Sequence, residues 1–292
     1  MGKPNPMKTT FVVILLASSL AALAQNDDFH LDKEYAIAKN GTIDLNSSDA
    51  EVIITGTSRS ATARVKIDRT VTIKGWYKSE GKFSVDVSTE DGNLIIREQQ
   101  SSVNIGLVGY YNEEYKIEIE APEGSSLVIR GDDGDYFIKN IDGSISMTFD
   151  DGDAQLIGCD GNEFKFRLDD GDIKMDKGKG SLTVVADDAD VEILEASFTS
   201  IDARLDDGDF IVHTSLTNGG EYSIDSEDGL VSFHVLKGGG EFSIRHDDST
   251  IRADGDFKVL EETESFKKLS LGSGTAKIKL RADDANVRLI AQ

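Results

Sequence analysis

The chain has 292 residues, with 54 acidic against 31 basic side chains and a formal charge of −23 at neutral pH. That balance makes nucleic acid and anionic membrane surfaces poor partners, since both are bound by cationic side chains that replace counterions. Hydrophobic residues make up 38% of the chain, and their regular patterning supports a packed core over disorder.

At the N-terminus, Lys8 precedes an apolar run from Phe11 to Leu16, and Ala22-Leu23-Ala24 forms an A-x-A cleavage site. Residues 1–24 therefore read as an export signal peptide. No later stretch approaches the ~20 apolar residues of a membrane-spanning helix. The expected location is the periplasm, the cell surface or the extracellular space, with no transmembrane segment left after signal removal. Residues 25–292 read as a single β domain, irregular over 25–130 and regular over 131–292.

In the irregular part, Ile43 and Leu45 precede the corner Ser48-Asp49-Ala50-Glu51, and Val52 and Ile54 follow it. Val85, Val87, Glu90-Asp91-Gly92-Asn93, Leu94 and Ile96 read as a second copy, with the third corner positions 42 residues apart, or two coils. Between them lies a basic stretch, Arg59, Arg64, Lys66, Arg69, Lys74, Lys78 and Lys82, opposed only by Asp68 and Glu80. It is a candidate for head-to-tail association or for docking an anionic glycan. The aromatic pairs Trp76-Tyr77 and Tyr110-Tyr111 fall in the same irregular excursions, where they would cap the domain or bind a sugar or protein.

From residue 131 a short acidic motif recurs. It reads Asp132-Asp133-Gly134-Asp135, Asp150-Asp151-Gly152-Asp153, Asp169-Asp170-Gly171-Asp172, Asp187-Asp188-Ala189-Asp190 and Asp206-Asp207-Gly208-Asp209. Weaker copies stand at 227–230, 247–250 and 283–286. The third position returns every 18 to 21 residues up to Ser249, and the last step of 36 spans two periods with one copy skipped. Before each motif alternate residues are apolar, as in Phe164, Phe166 and Leu168; after it they are apolar again, as in Ile173 and Met175. Alternation with period two means half-buried strands on both sides of the corner. Gly143, Gly161, Gly180, Gly220 and Gly240 mark a second corner, where glycine takes positive φ without a Cβ clash.

Two all-β architectures fit: a parallel, β-helix-like β-solenoid with two short strands per ~18–21-residue coil, or an antiparallel β-meander in which each motif is a hairpin tip. A type I′ tip needs positive φ at both central residues. Ala50, Ala189, Ser249 and Ala285 occupy the second of them, which favours the solenoid.

The stretch Ala121-Pro122-Glu123-Gly124-Ser125-Ser126-Leu127-Val128-Ile129, the Gly-Asp corners between short strands, and the closing run from Ile278 to Val287 resemble the bacterial putative-adhesin domain of unknown function, of the head GIN type. The resemblance covers nearly all of residues 25–292 and implies an exported β-solenoid. This chain departs from it in placing Asp-Asp where that family more often has Thr, Ser or Asn before Gly-Asp, and no catalytic residue carries over.

If coils stack, the second-position aspartates form a ladder, and motif positions one, two and four offer oxygen ligands. Asp133, Asp135, Asp151, Asp153, Asp170, Asp172, Asp188, Asp190, Asp207 and Asp209 are then candidate oxygen ligands for Ca²⁺ bridging successive coils. The bland alternative is an Asx turn, each short side chain bonding a nearby backbone N–H. The spacing matches neither the calcium β-roll nonapeptide nor an EF-hand loop. Cys159 stands alone and reads as a small buried apolar residue. His30, His213, His234 and His246 lack metal-ligand spacing, no basic residue stands among the corner acids, and no hydrolase or phosphate-binding motif is present. The expected function is therefore non-enzymatic: an exported adhesin-like or scaffolding protein whose partner is a protein or glycan at the cell envelope, or a second copy of the chain. The alternatives are a periplasmic ion-binding or signalling-associated module and, less favoured, a polysaccharide-active β-helical enzyme.

Overall fold

The computed structural model describes residues 28–59, 61–80, 82–100 and 103–291, with the side chains of 73–80, 100 and 103–109 outside the description. The export segment and the Trp76 and Tyr77 side chains therefore lie outside it. The described residues form no helix and twenty-two strands, most of them paired in parallel.

In chain order the first are β1 (Phe29–Ala36), β2 (Thr42–Asn46), β3 (Glu51–Thr57), β4 (Thr62–Glu80), β5 (Phe83–Glu90), β6 (Asn93–Gln100) and β7 (Val103–Pro122). The central ones are β8 (Ser126–Arg130), β9 (Tyr136–Lys139), β10 (Ile145–Phe149), β11 (Ala154–Ile157), β12 (Glu163–Met175), β13 (Lys179–Asp207), β14 (Asp209–Ser215), β15 (Glu221–Ser226) and β16 (Leu230–Lys237). The last are β17 (Gly240–His246), β18 (Ile251–Asp254), β19 (Phe257–Glu262), β20 (Phe266–Leu271), β21 (Ala276–Ala282) and β22 (Asn286–Ala291).

Strands that precede a corner pair with one another, and strands that follow it do the same. Leu127 lies beside Ile145, Ile145 beside Phe164, and Phe164 beside Leu182; after the corner, Tyr136 lies beside Ala154 and Ala154 beside Ile173. Equivalent residues thus stack on adjacent parallel strands, and the antiparallel meander is excluded as the general plan. β12 and β13 run through their corners without a break, so that Asp170, Gly171 and Asp172 lie in register with Asp188, Ala189 and Asp190.

The alternating apolar residues point inward from both rows and form one contiguous core. Its largest members include Phe164, Phe166, Phe198, Phe210, Phe233 and Phe242, all fully buried, and each contributes about 1.5–3 kcal/mol by leaving water. Towards the C-terminal end Tyr222, Phe233, Phe242 and Phe257 meet edge to face in a chain, with centroids 6.1, 6.1 and 5.3 Å apart. Cys159 is buried, and burial pushes its thiol up to about 11.

Three expectations need correction. First, Glu90-Asp91-Gly92-Asn93 is a hairpin tip, because β5 and β6 are antiparallel with Glu90 opposite Asn93. Asp91 and Gly92 take φ of 50° and 79°, as a type I′ turn demands. Second, no copy is skipped between Ser249 and Ala285. The chain passes from β18 through the antiparallel pair β19–β20, then returns to insert β21 and β22 between coils already laid down. Leu280 pairs with Ile224 on one side and Ile244 on the other, and Leu289 with Phe233 and Ala253. The N-terminal end repeats the device, with Leu45 between Ile96 and Ile129 and Ile54 between Ile119 and Ile138. Third, of the second-corner glycines only Gly180 has positive φ. Gly143 and Gly161 are required by crowding instead: a Cβ at Gly161 would sit 2.2 Å from the Gly143 carbonyl oxygen.

The irregular excursions are the hairpin β5–β6 and a long antiparallel ribbon of β4 with β7, to which β1 adds on the outer side of β4.

Candidate functional site: acidic corners and an arginine file

Nine of the ten acidic corners share one edge of the molecule, and Asp91 is the exception. Backbone bonds carry the order. The N–H of Asp132 donates to Ser48 O, that of Asp151 to Asp132 O, that of Asp170 to Asp150 O and that of Asp228 to Asp206 O. The N–H of Asp284 then donates to Glu227 O, and that of Asp247 to Ala282 O. In space the second-position aspartates therefore run Asp49, Asp133, Asp151, Asp170, Asp188, Asp207, Asp228, Asp284 and Asp248, all exposed. Crowding is felt within this column. Desolvation and the neighbouring Asp170 and Asp133 raise the Asp151 carboxyl above its ordinary range, and desolvation and Asp133 do the same for Asp49.

The fourth-position aspartates have a different task. Asp135 Oδ1 accepts from the N–H of Asp153 at 3.3 Å, and Asp153 Oδ1 from that of Asp172 at 3.1 Å. Asp190 Oδ1 accepts from the N–H of Asp209 at 2.8 Å, and Asp209 Oδ1 from that of Leu230 at 3.1 Å. Each carboxylate accepts from a backbone N–H of the next coil; the bond of an Asx turn, by contrast, stays within one corner. Among the described residues no three His, Cys, Asp or Glu side chains converge to hold a metal ion. The candidate ligands Asp133, Asp151, Asp170, Asp188 and Asp207 line up one per coil, and Asp135, Asp153, Asp172, Asp190 and Asp209 stand beside them as coil-to-coil acceptors or in register with those acceptors.

Third-position residues explain how the corners approach so closely. Gly171 takes φ of 105°, and a Cβ on it would lie 2.0 Å from the Gly152 carbonyl oxygen.

Within the basic stretch Arg59, Arg64, Lys66 and Arg69 are each paired with acids, while the side chains of Lys74 and Lys78 lie outside the described residues. Arg64 pairs with Asp32 at 2.7 Å, Arg59 with Glu34 at 2.8 Å and Glu120 at 2.9 Å, and Lys66 with Asp68 at 2.7 Å and Glu118 at 2.9 Å. Arg69 is buried against Glu113 and the Phe83 ring. Apart from Asp68 on β4 itself, these acids come from β1 and β7, which are distant in sequence, so the local charge balance of the stretch does not show them.

The expectation that no basic residue accompanies the corner acids is also corrected. Arg130, Arg167, Arg204, Arg281 and Arg245 each stand two residues before the first aspartate of a corner, on the outer side of the strand. Arg130 lies beside Thr148, Thr148 beside Arg167 and Arg167 beside Val185, so one file of arginines runs alongside the acids. Its last members are adjacent, Arg245 beside Arg281 and Asp225 beside Arg281. The signal was in the sequence as a recurring Arg-x-Asp. His213 and His234, remote from each other in sequence, stack on neighbouring strands with ring centroids 3.9 Å apart.

The model of the family described as Toastrack DUF4097 matches residues 40–289. Among solved structures, one named a putative adhesin from Bacteroides fragilis is similar at 13% identity and a TM-score of 0.48, covering 89% of this chain and 97% of its own. Another putative adhesin, from Parabacteroides distasonis, is similar at 9% identity and a TM-score of 0.43, with the same coverage. A putative cell adhesion protein from Clostridium sporogenes is similar at 11% identity and a TM-score of 0.29, covering 90% of this chain and 100% of its own. No curated protein matches the chain.

Proposed function

The chain belongs to the Toastrack DUF4097 family, and from that premise we propose that it is an exported, non-enzymatic, adhesin-like or scaffolding protein of the cell envelope. In this reading the export signal of residues 1–24 delivers residues 25–292 as one domain, a β-solenoid of two short strands per coil and of the head GIN type. Its working part is the outer surface, and its partner is a protein or glycan. One observation carries the reading: corners from nine coils, drawn from both ends of the chain, are brought into register along one edge. Such an edge repeats the same chemistry at strand spacing, ~4.8 Å, which suits a long or repetitive partner better than a single small substrate. The test is binding of purified residues 25–292 to arrayed glycans and to isolated envelope fractions. Saturable retention supports the reading, and no retention on either overturns it.

A second reading is favoured by the raised carboxyls of Asp49 and Asp151. In it, Ca²⁺ bridges second-position aspartates of successive coils and relieves their repulsion. Millimolar Ca²⁺ then raises the melting temperature relative to a monovalent salt of equal ionic strength. An unchanged melting temperature removes the cation.

A further inference from the structure

The arginine file ends in a cleft. Two adjoining concavities of about 510 Å³ and 500 Å³ share Arg245, Phe266 and Arg281. The inserted strand β21 and the antiparallel strand β20 both lie against β17 and so build the cleft: Arg245 has Arg281 as its neighbour on one side and Phe266 on the other. Lys279 and the hydroxyl residues Ser223 and Ser243 line one half, and His246, Asp247, Ser265 and Asp283 the other. Arg281 is held by Asp283 at 2.9 Å and lies 3.8 Å from Asp225. Arg245 and Lys279 are exposed and take part in none of the ion pairs among the described residues. In a chain of charge −23, the cleft balances its three acids, Asp225, Asp247 and Asp283, with three cations beside one half-buried phenyl ring, and two of those cations are left outside any ion pair among the described residues.

Resting on the proposed adhesin-like reading, we propose that this cleft binds a carboxylate-bearing sugar, a uronate residue of an acidic glycan. The Arg245 guanidinium offers a planar pair of donors that matches a carboxylate, and Lys279 adds a second positive charge. The Phe266 ring offers an apolar face to the apolar face of a pyranose ring. Asp247 and Asp283 accept hydrogen bonds from sugar hydroxyls, which a purely cationic site could not do. The mixture of donors, acceptors and one ring selects a sugar acid over an inorganic anion. The attraction of Arg245 and Lys279 for the carboxylate is short-ranged and is weakened by salt.

The experiment is calorimetric titration of residues 25–292 with an oligogalacturonate and with its methyl-esterified counterpart of equal length. The expected result is binding of the acid and at least a tenfold weaker affinity for the ester. Arg245→Ala and Phe266→Ala each weaken the acid at least tenfold, whereas Lys177→Ala, at an exposed cation outside the cleft and outside the arginine file, leaves affinity unchanged. Thermal melts of the exposed-site variant Arg245→Ala, unchanged from wild type, show that the fold is intact. Equal affinity for acid and ester, or binding unaffected by Arg245→Ala, overturns the cleft. If wild type and Arg245→Ala are retained equally on envelope fractions, the adhesin-like reading survives and the cleft does not; if neither ligand nor envelope is bound, both fall.

Discussion

At the scale of single residues, the two aspartate positions that look alike in sequence have opposite energetic signs. Asp153 accepts from the N–H of Asp172, so Asp153→Ala leaves that donor without its partner and is expected to cost about 1 kcal/mol, while Asp153→Asn keeps an acceptor and costs less. Urea unfolding of the two variants measures the difference. Asp49 and Asp151 have carboxyls raised above 3.8 in the folded chain. Ionising them opposes folding, so stability is lost as pH rises from 3.8 through their raised values and is regained on mild acidification. Asp32 and Asp68 go the other way. Hydrogen bonds from Arg64 and from Lys66 and His30 respectively hold their carboxyls below 3.8, and the stability they add is lost only as pH falls further. The melting temperature is therefore expected to peak on the acid side of neutrality, above 3.8, and the Asp49→Asn/Asp151→Asn double variant to flatten that rise. A wild-type melting temperature that only falls on acidification contradicts this sign. The sequence displayed both aspartate columns, yet nothing in a four-residue motif says whether a carboxylate bonds its own turn or the next coil.

At the scale of elements, the same dipeptide serves two purposes. Asp91-Gly92 turns a hairpin, and Asp170-Gly171 turns a corner between parallel coils. What separates them is the partner of the flanking strands, and partners are set by long-range packing, which alternation alone does not reveal. The presence of strands was legible from Phe164, Phe166 and Leu168 on one side of a corner and Ile173 and Met175 on the other. The insertion of β21 and β22 was not, because an inserted coil has the same period and the same inward residues as one stacked in chain order. The insertion makes the C-terminal strands central to stability. Leu280 is buried between Ile224 and Ile244, so Leu280→Ala is expected to cost about 2–5 kcal/mol by lost transfer energy and cavity formation. An equivalent truncation in a fraying terminal strand would cost far less. Denaturant unfolding decides between them: a loss below about 1 kcal/mol contradicts a central place for this strand.

At the scale of the whole molecule, folding gathers charge that the sequence disperses. Corners from Asp49 to Asp284 meet on one edge, arginines run in a parallel file, and Arg59, Arg64 and Lys66 pair with acids of β1 and β7. The acid edge was legible because its motif repeats. The arginine file was hidden because its first members skip alternate coils, with Thr148 and Val185 at the intervening positions. Strands β1, β5, β18 and β19 each have a single strand partner, and β19 carries a bulge between Val259 and Glu261 that blunts its edge. The central claim is spatial: the coil holding Asp284 lies between those holding Asp228 and Asp248. Parallel neighbours at ~4.8 Å are within disulfide reach, and residues two coils apart are not. Two cysteine pairs, Asp228→Cys/Asp284→Cys and Asp228→Cys/Asp248→Cys, compared by oxidation and peptide mapping, test it directly. The first pair is expected to close and the second to stay reduced; closure of the second in place of the first would mean that the coils stack in chain order and that the inserted strand pair does not exist.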